Sequence, residues 1–216
     1  MKNYTHVSVL LDASSSMYSI KDDIIGGFNN LLNDQKKETG KLSISVAQFS
    51  SEGSYKTINQ MAELNSVKEL TTDSYITSGM TALLDGIEII IKDTGEALKA
   101  LSENERPEKV LITIITDGGE NNSIKATNKS IADIIKHQEE KYNWQFAYIG
   151  ANQDSFATSS SFGLHTNTVN YSADKLGTQS MFAGMSNSIK TFRSSSANTS
   201  YTLTQEDIDK AKVVQK

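Results

Sequence analysis

The chain reads as an α/β protein with a doubly wound, mostly parallel central sheet flanked by helices and one antiparallel edge strand. Three observations predict this. The runs Val7 to Leu11, interrupted only by Ser8, and Val110 to Thr116 lack the alternation of a half-exposed strand, as strands covered on both faces do. They alternate along the sequence with stretches whose apolar residues recur every three or four positions, the period of a helix with one buried face. Both runs also lead into polar loops rich in Asp, Ser and Gly, as strands of such sheets do at their carboxyl ends.

Length and composition set the frame. At 216 residues the chain suits one domain able to bury its own core, with an α/β domain over 1–193 and a flexible joint plus short helix over 194–216. Its 21 basic and 26 acidic side chains give a net charge of -5 with the acids scattered, so no basic field for nucleic acid is present. Cysteine is absent, which excludes disulfides, thiolate metal sites and cysteine nucleophiles and fits a reducing compartment. The opening residues Met1 to His6 lack the apolar core of a signal peptide, and no apolar run approaches the roughly 20 residues that span a bilayer. The expectation is a soluble, cytoplasmic protein with no nucleic acid and no membrane among its partners.

After the first strand, Ile20, Ile24, Ile25, Phe28, Leu31 and Leu32 predict a core-packed helix. A polar connection, Lys36 to Gly40, precedes an alternating strand from Leu42 to Phe49. Ser50 to Ser54 reads as a turn, and Tyr55 to Ile58 as a short strand returning antiparallel. Met61 to Ser78 has little periodicity and ends in Thr77-Ser78-Gly79-Met80-Thr81, a loop feeding a helix from about Thr81 to Leu101 with a weak point at Thr94-Gly95. The only proline, Pro107, sits in the Ser102 to Glu108 connection, where it ends a helix without removing a ladder bond. The central strand Val110 to Thr116 follows, then a helix marked by Ile131, Ile134 and Ile135. Trp144 to Ile149 predicts a strand ending at Gly150, 152–161 a short helix, and Thr166 to Val169 an edge strand. Met181, Phe182, Met185, Ile189 and Phe192 mark a final core helix, with Met and Phe there for packing. Ser194 to Ser200 has the composition of a joint, and Thr204 with Asp207 can cap a last helix to Val214.

Chemistry gathers at the strand ends. Asp12, Ser14 and Ser16 place a carboxylate and two hydroxyls at alternate positions after the first strand, a set of hard oxygen ligands suited to Mg2+ or a similar ion. The same residues also form polar turns and helix N-caps. In a doubly wound sheet functional groups meet at the carboxyl ends of strands, near the point where strand order reverses. Asp117 follows the central strand, so it can share a rim with Asp12. His6, His137 and His165 have no shared spacing and read as surface or capping residues.

Asp12-x-Ser14-x-Ser16, Gly79-Met80-Thr81-Ala82-Leu83-Leu84-Asp85 and Ile115-Thr116-Asp117-Gly118-Gly119-Glu120-Asn121 together resemble the three parts of the metal-ion-dependent adhesion site of von Willebrand factor type A domains. The resemblance extends over the strand and helix pattern from about Thr5 to Phe192, and is to the stand-alone versions found in bacteria and their phages. It implies direct ligation by the hydroxyls of Ser14 and Ser16, direct or water-mediated ligation by Thr81, and largely water-mediated roles for Asp12 and Asp117. The ion implied is Mg2+, with Mn2+ or Ca2+ as substitutes, and the implied partner is a protein offering an Asp or Glu to the metal. The resemblance further implies that binding shifts the final core helix, as in some members of that family. One departure is Ser15, where glycine is common. Asp85 reads as a loop-orienting or helix residue, Glu120 as an exposed rim group or a second layer behind the ligands, and Asn121 as a brace through its amide.

Two other functions remain open at this level. A Mg2+-dependent phosphatase-like hydrolase would use Asp12 as nucleophile, but the second carboxylate expected two positions later is Ser14. A scaffold protein could keep the fold with an idle site. A phosphate loop and a Gly-x-Ser-x-Gly elbow are both missing. The expectation is a binding module, not an enzyme.

Overall fold

A computed structural model describes residues 3–51, 54–151 and 154–214. The strands are β1 (Tyr4–Asp12), β2 (Lys41–Phe49), β3 (Lys56–Glu63), β4 (Lys109–Thr116), β5 (Gln145–Ala151) and β6 (Thr168–Tyr171), in the spatial order β3-β2-β1-β4-β5-β6. All neighbours are parallel except β2 and β3. The helices are α1 (Lys21–Gln35), α2 (Leu83–Lys99), α3 (Asn128–Tyr142), α4 (Ser155–Ser161), α5 (Lys175–Ser194) and α6 (Gln205–Val214). Glu52 and Gly53 of the expected turn, and Asn152 and Gln153 of the expected short helix, lie outside the described residues.

Every residue of β1 and β4 is buried, which explains the unbroken apolar runs. Val7, Val9 and Leu11 pack into one core with α1, α5 and α6, and Leu10, Ile112 and Ile114 into a second with α2 and α3. α1 crosses α5 closely at Gly27, where a Cβ would sit 2.2 Å from the Phe182 ring. The chain lays β1, β2 and β3 outward in one direction, then returns to place β4 on the other flank of β1. The strand order reverses between β1 and β4, and their carboxyl ends form the crevice expected of such a sheet.

Several boundaries differ from the sequence reading, each for a physical reason. β3 runs on to Glu63 because Met61 takes a left-handed conformation (φ 46°) and donates its N–H to Ser45 Oγ, an irregularity that erases the two-residue period. α2 passes through Thr94-Gly95 unbroken, because Thr94 Oγ1 bonds Ser8 Oγ at 2.8 Å and anchors the helix to the sheet. β6 begins two residues later than expected, after a left-handed Asn167 (φ 53°).

His6 is not a surface or capping residue. It is fully buried between β1 and α2, with Nδ1 2.8 Å from Ser43 Oγ and Nε2 2.9 Å from Ser8 Oγ. Tyr4 joins the same network through Ser43, at 2.8 Å. Hydroxyls satisfy both ring nitrogens, and burial pushes the imidazole pKa down to about 3 despite the opposing hydrogen bond from Ser43.

The last residues dock on the domain. The buried Lys109 ammonium donates to the carbonyls of Phe192, Arg193 and Ser195 at the end of α5. Tyr201, Leu203 and Ile208 are buried against the α1–α5 core, and Thr204 and Asp207 cap α6 reciprocally. Arg193 ties α5 to the end of α1 through the carbonyls of Gln35, Thr39 and Gly40.

Candidate metal centre

The parallel register pairs Leu11 with Ile115, so Asp12 and Thr116 emerge side by side from the central strands. Both are fully buried. Asp12 Oδ2 accepts the Thr116 hydroxyl at 2.6 Å, and Asp12 Oδ1 accepts the Ser14 N–H at 2.7 Å. The second bond folds the chain back after β1 and sets the Ser14 hydroxyl above the strand ends. Ser14 Oγ then lies 3.0 Å from Ser16 Oγ, and Ser16 Oγ donates to Asp117 Oδ1 at 2.7 Å. Asp12, Ser14, Ser16 and Asp117 form one continuous cluster. Ser15 does not have a positive φ, so the loop needs no glycine at that position.

Thr81 arrives from a third loop, which is tied to the first by backbone bonds. Ser78 donates its N–H to the Ala13 carbonyl at 2.7 Å, and Ser15 donates to the Gly79 carbonyl at 3.0 Å. Gly79 makes this approach possible: its φ is +73°, and a Cβ there would meet Ser51 Oγ at 2.1 Å. Asn121 braces Thr81 from the other side, accepting its N–H at 2.8 Å through the side-chain oxygen while donating to its carbonyl at 3.1 Å. The Thr81 hydroxyl faces the Asp117–Gly118 turn, 3.5 Å from where a Cβ on Gly118 would be. All five expected residues therefore stand on one rim.

Three groups behind them hold the loops. Asp85 accepts the N–H groups of Ile124, Lys125 and Ala126, the orienting role expected of it. Glu120 is half-buried rather than exposed: it accepts the N–H groups of Leu84, Asn122 and Ser123, capping α2 and closing its own loop. Sequence reasoning missed Tyr75, whose buried phenol donates to the Asp12 carbonyl. Its one signal was an isolated aromatic residue in a stretch without periodicity. Thr116 was also missed as a site residue, because in sequence it belongs to the strand.

Burial raises the Asp12 carboxyl to about 6 against the hydrogen bonds from Thr116 and Ser14, with Asp117 adding repulsion. Asp117 is also raised by burial, partly offset by Ser16. Among the described residues neither carboxylate has a basic partner, and no cluster of three or more His, Cys, Asp or Glu occurs that could hold a metal. Any ion here would depend on hydroxyl oxygens. The residues fit one: six ligands about 2.1 Å from a small dication are spaced about 3.0 Å along the octahedral edges, and the Ser14–Ser16 and Ser16–Asp117 oxygens lie 3.0 and 2.7 Å apart. Its charge would also relieve the raised carboxylates.

No protein-family model and no curated protein matches the sequence. Solved structures do match in fold. Proximal thread matrix protein 1 from the mussel byssus, in a structure described as having a zinc-occupied MIDAS motif, superposes with a TM-score of 0.60 at 14% identity over 88% of this chain and 46% of that one. A von Willebrand factor type A protein from Catenulispora acidiphila gives 0.56 at 13% identity over 86% and 42%. The ArnB paralog VWA2 from Sulfolobus acidocaldarius gives 0.50 at 20% identity over 86% and 44%. The chain thus spans less than half the length of each.

Proposed function

From the von Willebrand factor type A fold of this chain, we propose that it is a metal-dependent protein-binding module. A divalent cation, Mg2+ by the hardness of its donors with Mn2+ or Ca2+ able to substitute, is held by Asp12, Ser14, Ser16, Thr81 and Asp117. It supplies an electrophilic position that an Asp or Glu of a partner protein occupies. The observation that carries this reading is the continuous cluster of Asp12, Ser14, Ser16 and Asp117 across two strand ends, with Thr81 delivered from a third loop. The zinc at the corresponding motif of the mussel protein supports it.

Binding is favoured over turnover by the state of Asp12. Both its oxygens accept hydrogen bonds, from Ser14 and Thr116, which leaves a poor nucleophile. We place the protein in the cytoplasm, from the lack of cysteine; no helix among the described residues is long and apolar enough to cross a membrane.

Calorimetric titration of the protein with MgCl2 and MnCl2 tests the metal site. One EDTA-reversible site, lost in Asp12→Ala and in Ser14→Ala variants that keep the wild-type circular dichroism, is the expected result. A wild-type protein that binds neither ion would overturn the proposal, and steady phosphate-ester hydrolysis abolished by Asp12→Asn would replace it with an enzyme.

A further inference from the structure

The large apolar side chains left in solvent are unevenly placed. Tyr18, Ile76, Met80, Ile124 and Phe156 are each at least half exposed and lie on segments at the carboxyl end of the sheet, whereas Tyr142, at the end of α3, is at the opposite end. Tyr18 lies in the turn that carries Ser16, and Met80 stands between Gly79 and Thr81. Ile76 follows the tyrosine bonded to Asp12, and its own N–H is held by Gln48. Single exposed apolar residues are ordinary on a protein surface; Tyr18, Met80 and Ile124 differ in that their loops carry or brace the residues of the candidate metal centre.

Beside Thr81 the rim opens into a groove of about 500 Å3 between α2 and the loops after β2 and β4. Phe49, Tyr55, Ala82, Ile89 and Ile124 line it. Ala82, the residue after Thr81, and Asp85, which holds the loop after β4, both line the groove and place it next to the candidate metal centre. Ile124, 64% exposed, stands at its edge on the loop that Asp85 and Glu120 hold in place.

We propose that the partner is an acidic residue flanked in sequence by large apolar residues, presented on an extended segment, with one apolar side chain in the groove under Ile124 and another against Met80 and Tyr18. This rests on the metal-dependent reading above. A carboxylate meets the dication, and apolar neighbours complete a collar that excludes water and strengthens that contact in a lower local dielectric. An acidic residue in a polar setting leaves the collar wet and binds weakly.

The test is selection from a displayed random dodecapeptide library on the immobilised full chain, in MgCl2 and in EDTA, with the best clone resynthesised as the probe. Expected are Mg2+-dependent clones with an Asp or Glu within three positions of Leu, Ile, Phe, Met or Trp. The probe should weaken about tenfold on Ile124→Ser or Met80→Ser, both exposed and tolerant of change, with calorimetric metal binding by those variants unaltered. Mg2+-dependent acidic clones with no apolar bias, or a probe indifferent to both substitutions, would overturn this inference and leave the metal-dependent reading standing. Failure to select any Mg2+-dependent acidic clone from a protein that binds the metal would overturn both the carboxylate partner and this inference.

Discussion

Acidification should destabilise this protein through His6. The imidazole is fully buried among hydroxyls, and its pKa falls from 6.5 in the unfolded chain to about 3 in the native one. A histidine with a lowered folded-state value contributes stability that is complete above the unfolded pKa and is lost as pH falls toward the folded one. At about 1.4 kcal/mol per pH unit, the loss between pH 7.5 and 4.5 is about 3 kcal/mol. Asp12 and Asp117 work in the opposite direction, because their raised values make the folded state bind protons more readily than the unfolded chain. The histidine contribution is therefore isolated by difference. Urea unfolding of wild type and His6→Gln at pH 7.5 and 4.5 should show the stability gap between them narrowing by about 3 kcal/mol at the lower pH, with unchanged m-values. A gap that is the same at both pH values would refute the reasoning. So would an imidazole resonance of His6 that titrates near 6.5 in the native protein.

Two further substitutions probe how the scaffold is held. Lys109→Met removes a buried ammonium and leaves the carbonyls of Phe192, Arg193 and Ser195 without their shared donor; a loss of about 2–4 kcal/mol, or a Tm lower by roughly 5–10 °C, should accompany faster amide exchange at the end of α5. An unchanged Tm would show that the clamp is not needed. Gly79→Ala forces a side chain into a left-handed position against Ser51 and should shift Thr81, weakening Mg2+ affinity about tenfold by calorimetry at a stability cost of about 1–2 kcal/mol; wild-type affinity would refute the dependence of Thr81 on this loop.

Much of the fold was legible because its signals are local. The uninterrupted Val110 to Thr116 run and the three-to-four spacing of Ile24, Phe28 and Leu31 each report a face of an element, and burial follows from the face. The signal failed where backbone geometry broke the period. Met61 turns left-handed inside β3, and a strand reader sees only the loss of alternation. Thr94-Gly95 has poor helix propensity, yet the Thr94 to Ser8 bond overrides it. For the candidate site, the oxygen-rich residues after β1 and β4 could be seen in sequence. Their supports could not, because Tyr75 and Thr116 act on Asp12 from 63 and 104 positions away.

By itself the sequence determined the alternation of strands and helices, the absence of thiol chemistry and the supply of carboxylates and hydroxyls at strand ends, since these depend on residue type and short-range period. Only the tertiary structure decided that Asp12 is buried with both oxygens engaged, that His6 lies inside rather than on the surface, and that Tyr18, Met80 and Ile124 stay exposed on the loops at the carboxyl end of the sheet. Those are properties of approach between distant segments. They are set by the β1–β4 register and by the loops that meet where the strand order reverses.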